Sequence, residues 1–527
     1  MTNTIADLET SDLILVTGSN TTENHPVLST FIKRAALKGK KIYVVDPRRI
    51  KLVDLAEKWL RPNPGTDIAW INGLMHVIIK EDLHDKAFIE SRTENFDALK
   101  EVVTTYTPEH VAEITGIAAE DITALARAFA KAPAAAICYC MGITQHTCGT
   151  DNVKSLANLS MLCGHLGKPG GGVNPLRGQN NVQGACDLGG LPNVFPAYQA
   201  VTSDEARQNY EKAWNVTDLP AKPGLPVTEM IEKAHAGEFK SLYIIGENPM
   251  VSDPDLNHAE KAMANLEFLV VQDIFQTETT AMADVVLPSL CWAEKDGTFS
   301  NTERRVQRVR KAVDGPEGAR PDWDIICDIA RRMGYEMQYE NSHEIFKEIC
   351  AVTPSYRGIT WERIDNKGIH WPCPDESHPG TPILHTTQFT RGKGLFHAIE
   401  HQPPAEQVSD DYPFVLTTGR VLYHYHTRTM TMRTEGLNQM SPECFVEISK
   451  TDAKNLGLDT GALVNVSSRR GKVSAKLKVS PMAVEGTIFM PFHFAQAAAN
   501  KLTNAKLDPT AKIPELKVCA INIEPAA

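Results

Sequence analysis

Between Gly170 and Gly190 the chain reads GGGVNPLRGQNNVQGACDLGG. Three asparagines, two glutamines and one arginine are set among glycines there, with neither a helical nor a strand period. Glycine permits positive φ and close backbone approach, and the amides and guanidinium supply directed donors. This composition predicts a polar ligand-cradling loop, not a core element, anchored by Val173, Leu176, Val182 and Leu188. A second polar turn, Gly18-Ser19-Asn20-Thr21-Thr22-Glu23-Asn24-His25, follows an apolar run and opens a helical pattern. Free N–H groups at such a place suit phosphate. The turn is not GxGxxG, so a standard nicotinamide site is not supported. Asp46-Pro47-Arg48 ends the next apolar run: the carboxylate can accept ribose or guanine hydrogen bonds, and the guanidinium can offset phosphate charge. Gly65-Thr66-Asp67 is a loop of similar chemistry.

The elements that must position these groups are legible as strand, turn, helix, strand. Leu13 to Thr17 is an apolar run, a helical pattern covers Pro26 to Lys40, and Ile42 to Asp46 is the next strand. This βαβ grammar predicts a parallel sheet with strands buried on both faces. It recurs: a strand from Leu242 to Ile245, the turn Gly246-Glu247-Asn248-Pro249, a helix from about Asn257 to Asn265, and a strand from Phe268 closed by Gln272 and Asp273. Asp46 lies 28 positions after Gly18 and Asp273 lies 27 after Gly246, which reads as an internal duplication of a nucleotide-binding half. Ligands of open α/β sheets sit beyond the carboxyl ends of the strands, so two halves imply two nucleotide-sized sites. Glu120 to Ala132 and Asn152 to Leu166 carry helical periods, as does Asp322 to Met333. From Pro404 the period becomes two. Val473, Ala475, Leu477 and Val479 alternate, Leu463 to Ser468 pairs with them as a hairpin, and Gly486 to Phe492 is a further strand, predicting a β-barrel-like domain.

With 527 residues the chain is long enough for several domains. The expected division is 1–179 and 180–330 for the two halves, 331–403 as a connecting segment, and 404–527 for the barrel. A net charge of -11 argues against nucleic acid or an anionic membrane surface as partner, and an anionic substrate needs a local positive site. No apolar run is long enough to span a bilayer, and the acidic start has no signal-peptide core, so the expected location is cytoplasmic. The 11 cysteines include no CxxC pair and read as reduced thiols, with no metal ligand assigned.

The run from Asn174 to Gly189, NPLRGQNNVQGACDLG, resembles the signature loop of formate dehydrogenase catalytic subunits. These belong to the molybdopterin-guanine-dinucleotide oxidoreductases, the dimethyl sulfoxide reductase family. The likeness extends from Leu13 to Pro525. It implies an α/β fold of two related dinucleotide-binding parallel-sheet domains plus a C-terminal double-psi-like β-barrel. It also implies a bis-molybdopterin guanine dinucleotide carrying molybdenum or tungsten, and oxidation of formate to carbon dioxide with iron–sulfur or diaphorase partner subunits taking the electrons. Carried over by position, Gly18, Asn20, Asn24, His25, Asp46, Arg48, Gly65 and Asp67 would line one dinucleotide. Met141, Gly142, Thr144 and Gln145 would lie beside its pterin. Gly246, Glu247, Asn248, Ser252, Gln272, Asp273, Ser289 and Asp322 would serve the second dinucleotide. Arg420, His424, His426, Asn500 and Lys517 of the C-terminal domain, with Gln179, complete the set. His424 and His426, at i and i+2, would share one face of a strand. Arg177 is the substrate group: a guanidinium pairs with a planar carboxylate through two parallel hydrogen bonds and holds the formate C–H toward the metal.

The family pattern also contains a four-iron four-sulfur cysteine cluster and a Cys or selenocysteine metal ligand beside a histidine, and neither occurs here. The opening MTNTIADLE resembles a stretch internal to the family. The expectation is that Met1 is not the native start, as when a selenocysteine codon is read as stop, and that this chain alone oxidises little or no formate. Two other functions fit the resemblance less well. A nitrate reductase would not carry the whole RGQNNVQGACD run, and a non-catalytic scaffold related to a respiratory complex I subunit would show eroded nucleotide-site residues.

Overall fold

A computed structural model describes residues 1–526. Two compact units emerge, each discontinuous in sequence: Met1–Leu176 with Val251–Asn257 and Ile383–Ala527, and Arg177–Met250 with His258–Pro382.

In the first unit, strands β1 (Leu13–Thr17), β2 (Lys41–Val45), β3 (Lys58–Leu60), β4 (Ala135–Tyr139) and β5 (Gly172–Pro175) form a parallel sheet in the order β3-β2-β1-β4-β5. β1 and β4 are buried along their whole length, as expected of parallel strands covered on both faces. Helices α1 (Thr21–Asn24) and α2 (Pro26–Leu37) replace the one helix expected from Pro26, with His25 at the break between them. Helix α3 (Asp67–Lys80) is buried almost throughout, and Trp70 and Met75 belong to the main core. Helix α4 (Ala119–Lys131) ends before Pro133, and α5 (Met141–Thr144) is a single turn. Helix α6 (Gly149–Leu162) stops four residues short of the periodic pattern, because Gly164 turns the chain at φ 62°.

The Gly170–Gly190 segment departs from its reading as a core-free loop. Gly172–Pro175 is β5, paired with β4 and buried at Gly172, Val173 and Asn174. A Cβ on Gly172 would lie 2.2 Å from Thr2 Oγ1, so only glycine lets the strand pack there. Pairing with a buried neighbour outweighs a local sequence of poor strand propensity.

The first unit also contains a closed barrel of β12 (Phe414–Gly419), β13 (Phe445–Ile448), β14 (Leu463–Ser467), β15 (Lys472–Val479), β16 (Thr487–Pro491) and β17 (Cys519–Pro525). The order is β12-β16-β13-β15-β14-β17. β14 and β15 form the expected antiparallel hairpin, and Val473, Ala475 and Leu477 point inward between exposed neighbours.

The second unit repeats the first strand grammar. β6 (Ser241–Ile245), β7 (Phe268–Asp273) and β8 (Val285–Pro288) lie parallel in the order β8-β7-β6, matching β3-β2-β1. Gly246 turns after β6 at φ 65°, as Gly18 does after β1 at φ 55°. Burial differs: Ile244 packs with Leu269 and Val271, whereas Tyr243 and Ile245 are exposed. Helix α7 (Val182–Asp187) lies in the signature run, and helix α8 (Asp322–Arg332) follows Pro321. An antiparallel sheet of β9 (Gly297–Ser300), β10 (Arg305–Val309) and β11 (Ile369–His370) was not read from the sequence. It carries part of residues 331–403 into a folded core with Phe346, Tyr356 and Ile359. Among the described residues, no helix is long and apolar enough to cross a membrane.

Candidate functional site

In the first unit the turn after β1 meets α5 at two glycines. A Cβ on Gly18 would stand 2.7 Å from the Ile143 nitrogen, and one on Gly142 would stand 2.5 Å from Gly18 Cα. Gly142 N–H donates to Gly18 O at 3.0 Å. Backbone contact this close excludes any side chain and leaves the turn's own polar groups to face a ligand. Ser19 Oγ, both amide atoms of Asn20, Thr21 Oγ1, Thr22 Oγ1 and Asn24 Oδ1 are buried without a hydrogen-bond partner among the described residues. Buried polar atoms are almost always satisfied in folded proteins, so a cluster of orphans at a strand's carboxyl end fits a polar ligand such as a nucleotide diphosphate. Met141, Gly142, Thr144 and Gln145, expected as a loop, form α5 and its C-cap, with Thr144 Oγ1 3.4 Å from Met141 Sδ.

Charge gathers next to this turn. Asp46 follows β2 and accepts from Arg48 N–H at 2.9 Å. Burial pushes the Asp46 carboxyl up to about 6 against the opposing pull of Arg48. Asp67 is the first residue of α3, where a loop was expected after Gly65 (φ 81°). It accepts from Trp70 Nε1 at 3.2 Å and lies 3.9 Å from His146 Nε2, and burial raises it to about 6 as well. Arg48 reaches into the barrel. It donates to Glu447 Oε1 at 2.6 Å, its guanidinium lies 3.5 Å from the Phe489 ring centroid, and its Nε has no partner among the described residues. Lys517 donates to Thr418 O at 2.5 Å; burial lowers it to about 8, and Cys140, Arg420, Asp46 and Arg48 all act on it electrostatically. Asp46, Arg48, Asp67, Arg420 and Lys517 therefore belong to one buried polar cluster.

Not every expected barrel group turns toward it. His424 and His426 lie in a turn after β12 and not on a strand; His426 has φ 42°, which no strand residue adopts. His424 is engaged by Thr431 Oγ1 at 3.0 Å and Ser441 O at 2.6 Å. Burial, with Arg420 second, lowers His426 to about 4. Asn500 donates to Val251 O and Ser252 O, while its Oδ1 has no partner among the described residues.

In the second unit, Gly246 N–H donates to Gln272 O at 2.8 Å. Gln272 is fully buried, donates from Nε2 to Asp322 Oδ1 at 2.7 Å and accepts from Tyr243; Asp322 also pairs with Lys295. Ser289 N–H donates to the Asp273 carbonyl at 3.1 Å. Asn248 ties the turn after β6 to the segment after β7: it donates to Glu278 and accepts from Thr279 Oγ1 at 2.7 Å. Glu247 is exposed. Arg177 N–H donates to Thr302 Oγ1 at 3.1 Å, and its Nη1 lies 3.9 Å from Cys186 Sγ. Gln179 follows two residues on, half-buried. Among the described residues no set of three His, Cys, Asp or Glu side chains is placed to hold a metal ion or cluster.

Three groups escaped the sequence reading. Glu447 is a lone acid in the apolar strand FVEI, a signal in itself, and it neutralises Arg48. His146, four residues beyond Gly142, binds the Gly142 carbonyl at 2.8 Å. His493 is buried; it donates from Nδ1 to His426 O and accepts Val421 N–H at Nε2, 3.0 Å away, which fixes its neutral tautomer.

Residues 1–332 match the family model described as molybdopterin oxidoreductase, and residues 414–520 match the molydopterin dinucleotide binding domain. The F420-dependent formate dehydrogenase subunit alpha of Methanocaldococcus jannaschii is 53% identical over 528 residues, covering 99% of this chain and 78% of the relative. Formate dehydrogenase H of Escherichia coli is 42% identical, covering 100% and 74%. The structure of acetylene hydratase from Pelobacter acetylenicus superposes with a TM-score of 0.78 at 22% identity, covering 99% of this chain and 79% of that one, a likeness of fold.

Proposed function

The chain belongs to the molybdopterin oxidoreductase family, among the relatives of formate dehydrogenase alpha subunits, and from that premise we propose that it serves the oxidation of formate to carbon dioxide as part of a metal-loaded holoenzyme and not as the isolated chain. The observation that carries the reading is the orphaned polar turn Ser19–Asn24 beside the buried cluster of Asp46, Arg48, Asp67 and Lys517. Those groups fit one guanine dinucleotide: Asn20, Asn24 and His25 toward the diphosphate, Asp46 and Asp67 toward donors of the ribose or base, and Arg48 and Lys517 as counter-charge. Gly246, Glu247, Asn248, Ser252, Gln272, Asp273, Ser289 and Asp322 would hold the second nucleotide. The functional division we propose runs 1–179, 180–330, 331–403 and 404–527. When bound, the molybdenum or tungsten pterin accepts the two electrons that formate gives up.

Formate loses two electrons and one proton to become carbon dioxide. Arg177 grips both oxygens in a bidentate pair, which fixes the direction of the C–H bond. The electrons pass to an iron–sulfur or diaphorase subunit. In the anaerobic holoenzyme, 13C-formate is expected to yield 13CO2 in step with viologen reduction, while reduced viologen is not consumed by nitrate. Nitrate turnover without formate turnover would favour the nitrate reductase reading.

The two raised carboxylates give a pH dependence. Asp46 and Asp67 titrate near 6 in the folded chain against 3.8 for the free group. The folded state therefore binds more protons between these values, and the chain without cofactor loses stability as pH rises from about 4 to about 6. Nucleotide donors need the ionised form. Retention should therefore be full above about 6 and weaken on acidification, by about tenfold in dissociation constant per pH unit for each carboxylate that must ionise. Guanine release by the holoenzyme, followed by chromatography from pH 7.5 to 5, checks this; a pH-independent release contradicts it.

A further inference from the structure

In the second unit, Asp187 is 1% exposed at the last position of α7, and Arg304 interacts with it electrostatically. Four donors converge on its carboxylate. Gln183 Nε2 and Tyr198 OH reach Oδ1, both at 2.8 Å, and Tyr356 OH at 2.7 Å and Trp371 Nε1 at 2.6 Å reach Oδ2. They come from the preceding helical turn, the 196–198 turn, the 354–356 turn and the end of β11. A carboxylate accepting this many bonds is held in one position, because its lone-pair directions are taken up by donors from four places in the chain.

The neighbouring residue, Cys186, lies against the Arg177 guanidinium. The other end of α7 is fixed by Asn181 Oδ1, which accepts from Ser300 N–H at 3.0 Å. Tyr198 feels both charges, Asp187 and Arg177, after burial as the main influence on its hydroxyl. It also sits in the left-handed region at φ 57°, after Ala197 at φ 61°. Two successive non-glycine residues there are strained, because each Cβ crowds the following carbonyl oxygen. Such strain persists only where surrounding contacts over-determine it, and the Tyr198–Asp187 bond is one such contact.

We propose that Asp187 is a positioning residue for substrate: by fixing α7 through Gln183, Tyr198, Tyr356 and Trp371 it holds Cys186, and through it the Arg177 guanidinium, in the orientation that receives the formate carboxylate. This inference rests on the reading of Arg177 given above. Asp187 does not touch formate; it acts through α7.

The test is formate kinetics of the holoenzyme carrying Asp187→Asn, Tyr356→Phe, Trp371→Phe, Arg177→Lys and the Asp187→Asn/Arg177→Lys pair. Asp187→Asn turns an amide N–H toward two donors. It should lower kcat/KM by about thirtyfold, mostly through a higher KM, at unchanged pterin content per chain. Tyr356→Phe keeps the ring and removes only the hydroxyl, Trp371→Phe keeps an aromatic ring without the donor, and each should cost about three- to fivefold in the same parameter, so the test stands if Asp187→Asn does not fold. In the Arg177→Lys background Asp187→Asn should add less than about threefold, since residues acting through one group are not additive. Three results overturn the proposal: unaltered KM in both ring variants, a loss confined to kcat that tracks lost pterin, or multiplicative losses in the double variant. If Arg177→Lys alone leaves formate kinetics unchanged, the reading of Arg177 falls and this inference falls with it; multiplicative losses sink only the role of Asp187.

Discussion

Replacing Arg177 with alanine should lower kcat/KM for formate by about a thousandfold, or roughly 4 kcal/mol of lost binding. Two charge-assisted hydrogen bonds to one carboxylate are each worth about 1.5–3 kcal/mol. Formate has so few atoms that nothing else on it can be gripped with comparable strength. Arg177→Lys keeps the charge but not the fork, so a loss of about ten- to a hundredfold is expected. Because the pair is made in the bound substrate as well as during reaction, KM should carry most of the change. Steady-state kinetics on holoenzyme of verified pterin content measures this, and an unaltered KM in Arg177→Ala would remove Arg177 from the substrate site.

The second large effect is expected at Glu447. Its carboxylate is 2% exposed and the Arg48 side chain it neutralises is 10% exposed, in one buried ion pair. Lys478 approaches the other oxygen at 3.4 Å from a half-exposed position. Removing one partner of a buried pair strands the other charge, at a cost of about 3–5 kcal/mol. Glu447→Gln is therefore expected to destabilise the first unit by about 3 kcal/mol. Urea unfolding of the first unit, followed by the fluorescence of Trp59 and Trp70, reads this, as does a loss of bound guanine nucleotide. Glu447→Gln/Arg48→Met removes both charges and should recover most of the stability while nucleotide retention stays low. Recovery of both would assign Arg48 to the fold alone.

The strands were legible where burial is uniform or strictly alternating. LILVT became β1 residue for residue, and Val473, Ala475 and Leu477 gave the barrel hairpin its inward face. The repeated half was legible from the spacing of Gly18 to Asp46 and Gly246 to Asp273, and the strand orders agree with it. What stayed hidden depends on partners distant in sequence. β5 is a strand because β4 lies beside it, and β9–β11 joins segments some sixty residues apart. The same holds at the site. Gly18, Asp46 and Asp67 stand at strand or helix ends that local rules locate, so they could be named from sequence. Glu447 and Phe489 meet Arg48 only through barrel closure, and the four donors to Asp187 come from three segments as well as its own helix. The placement of His424 and His426 on a strand failed because the chain leaves β12 at Gly419 and turns.

The central claim is that two nucleotide-binding halves of this chain grip a paired pterin guanine dinucleotide. Acid hydrolysis of the metal-loaded holoenzyme, with the released guanylate quantified against protein, tests it most directly. The account predicts one equivalent of guanylate for each of the two halves; a loaded, active enzyme that releases none would contradict it.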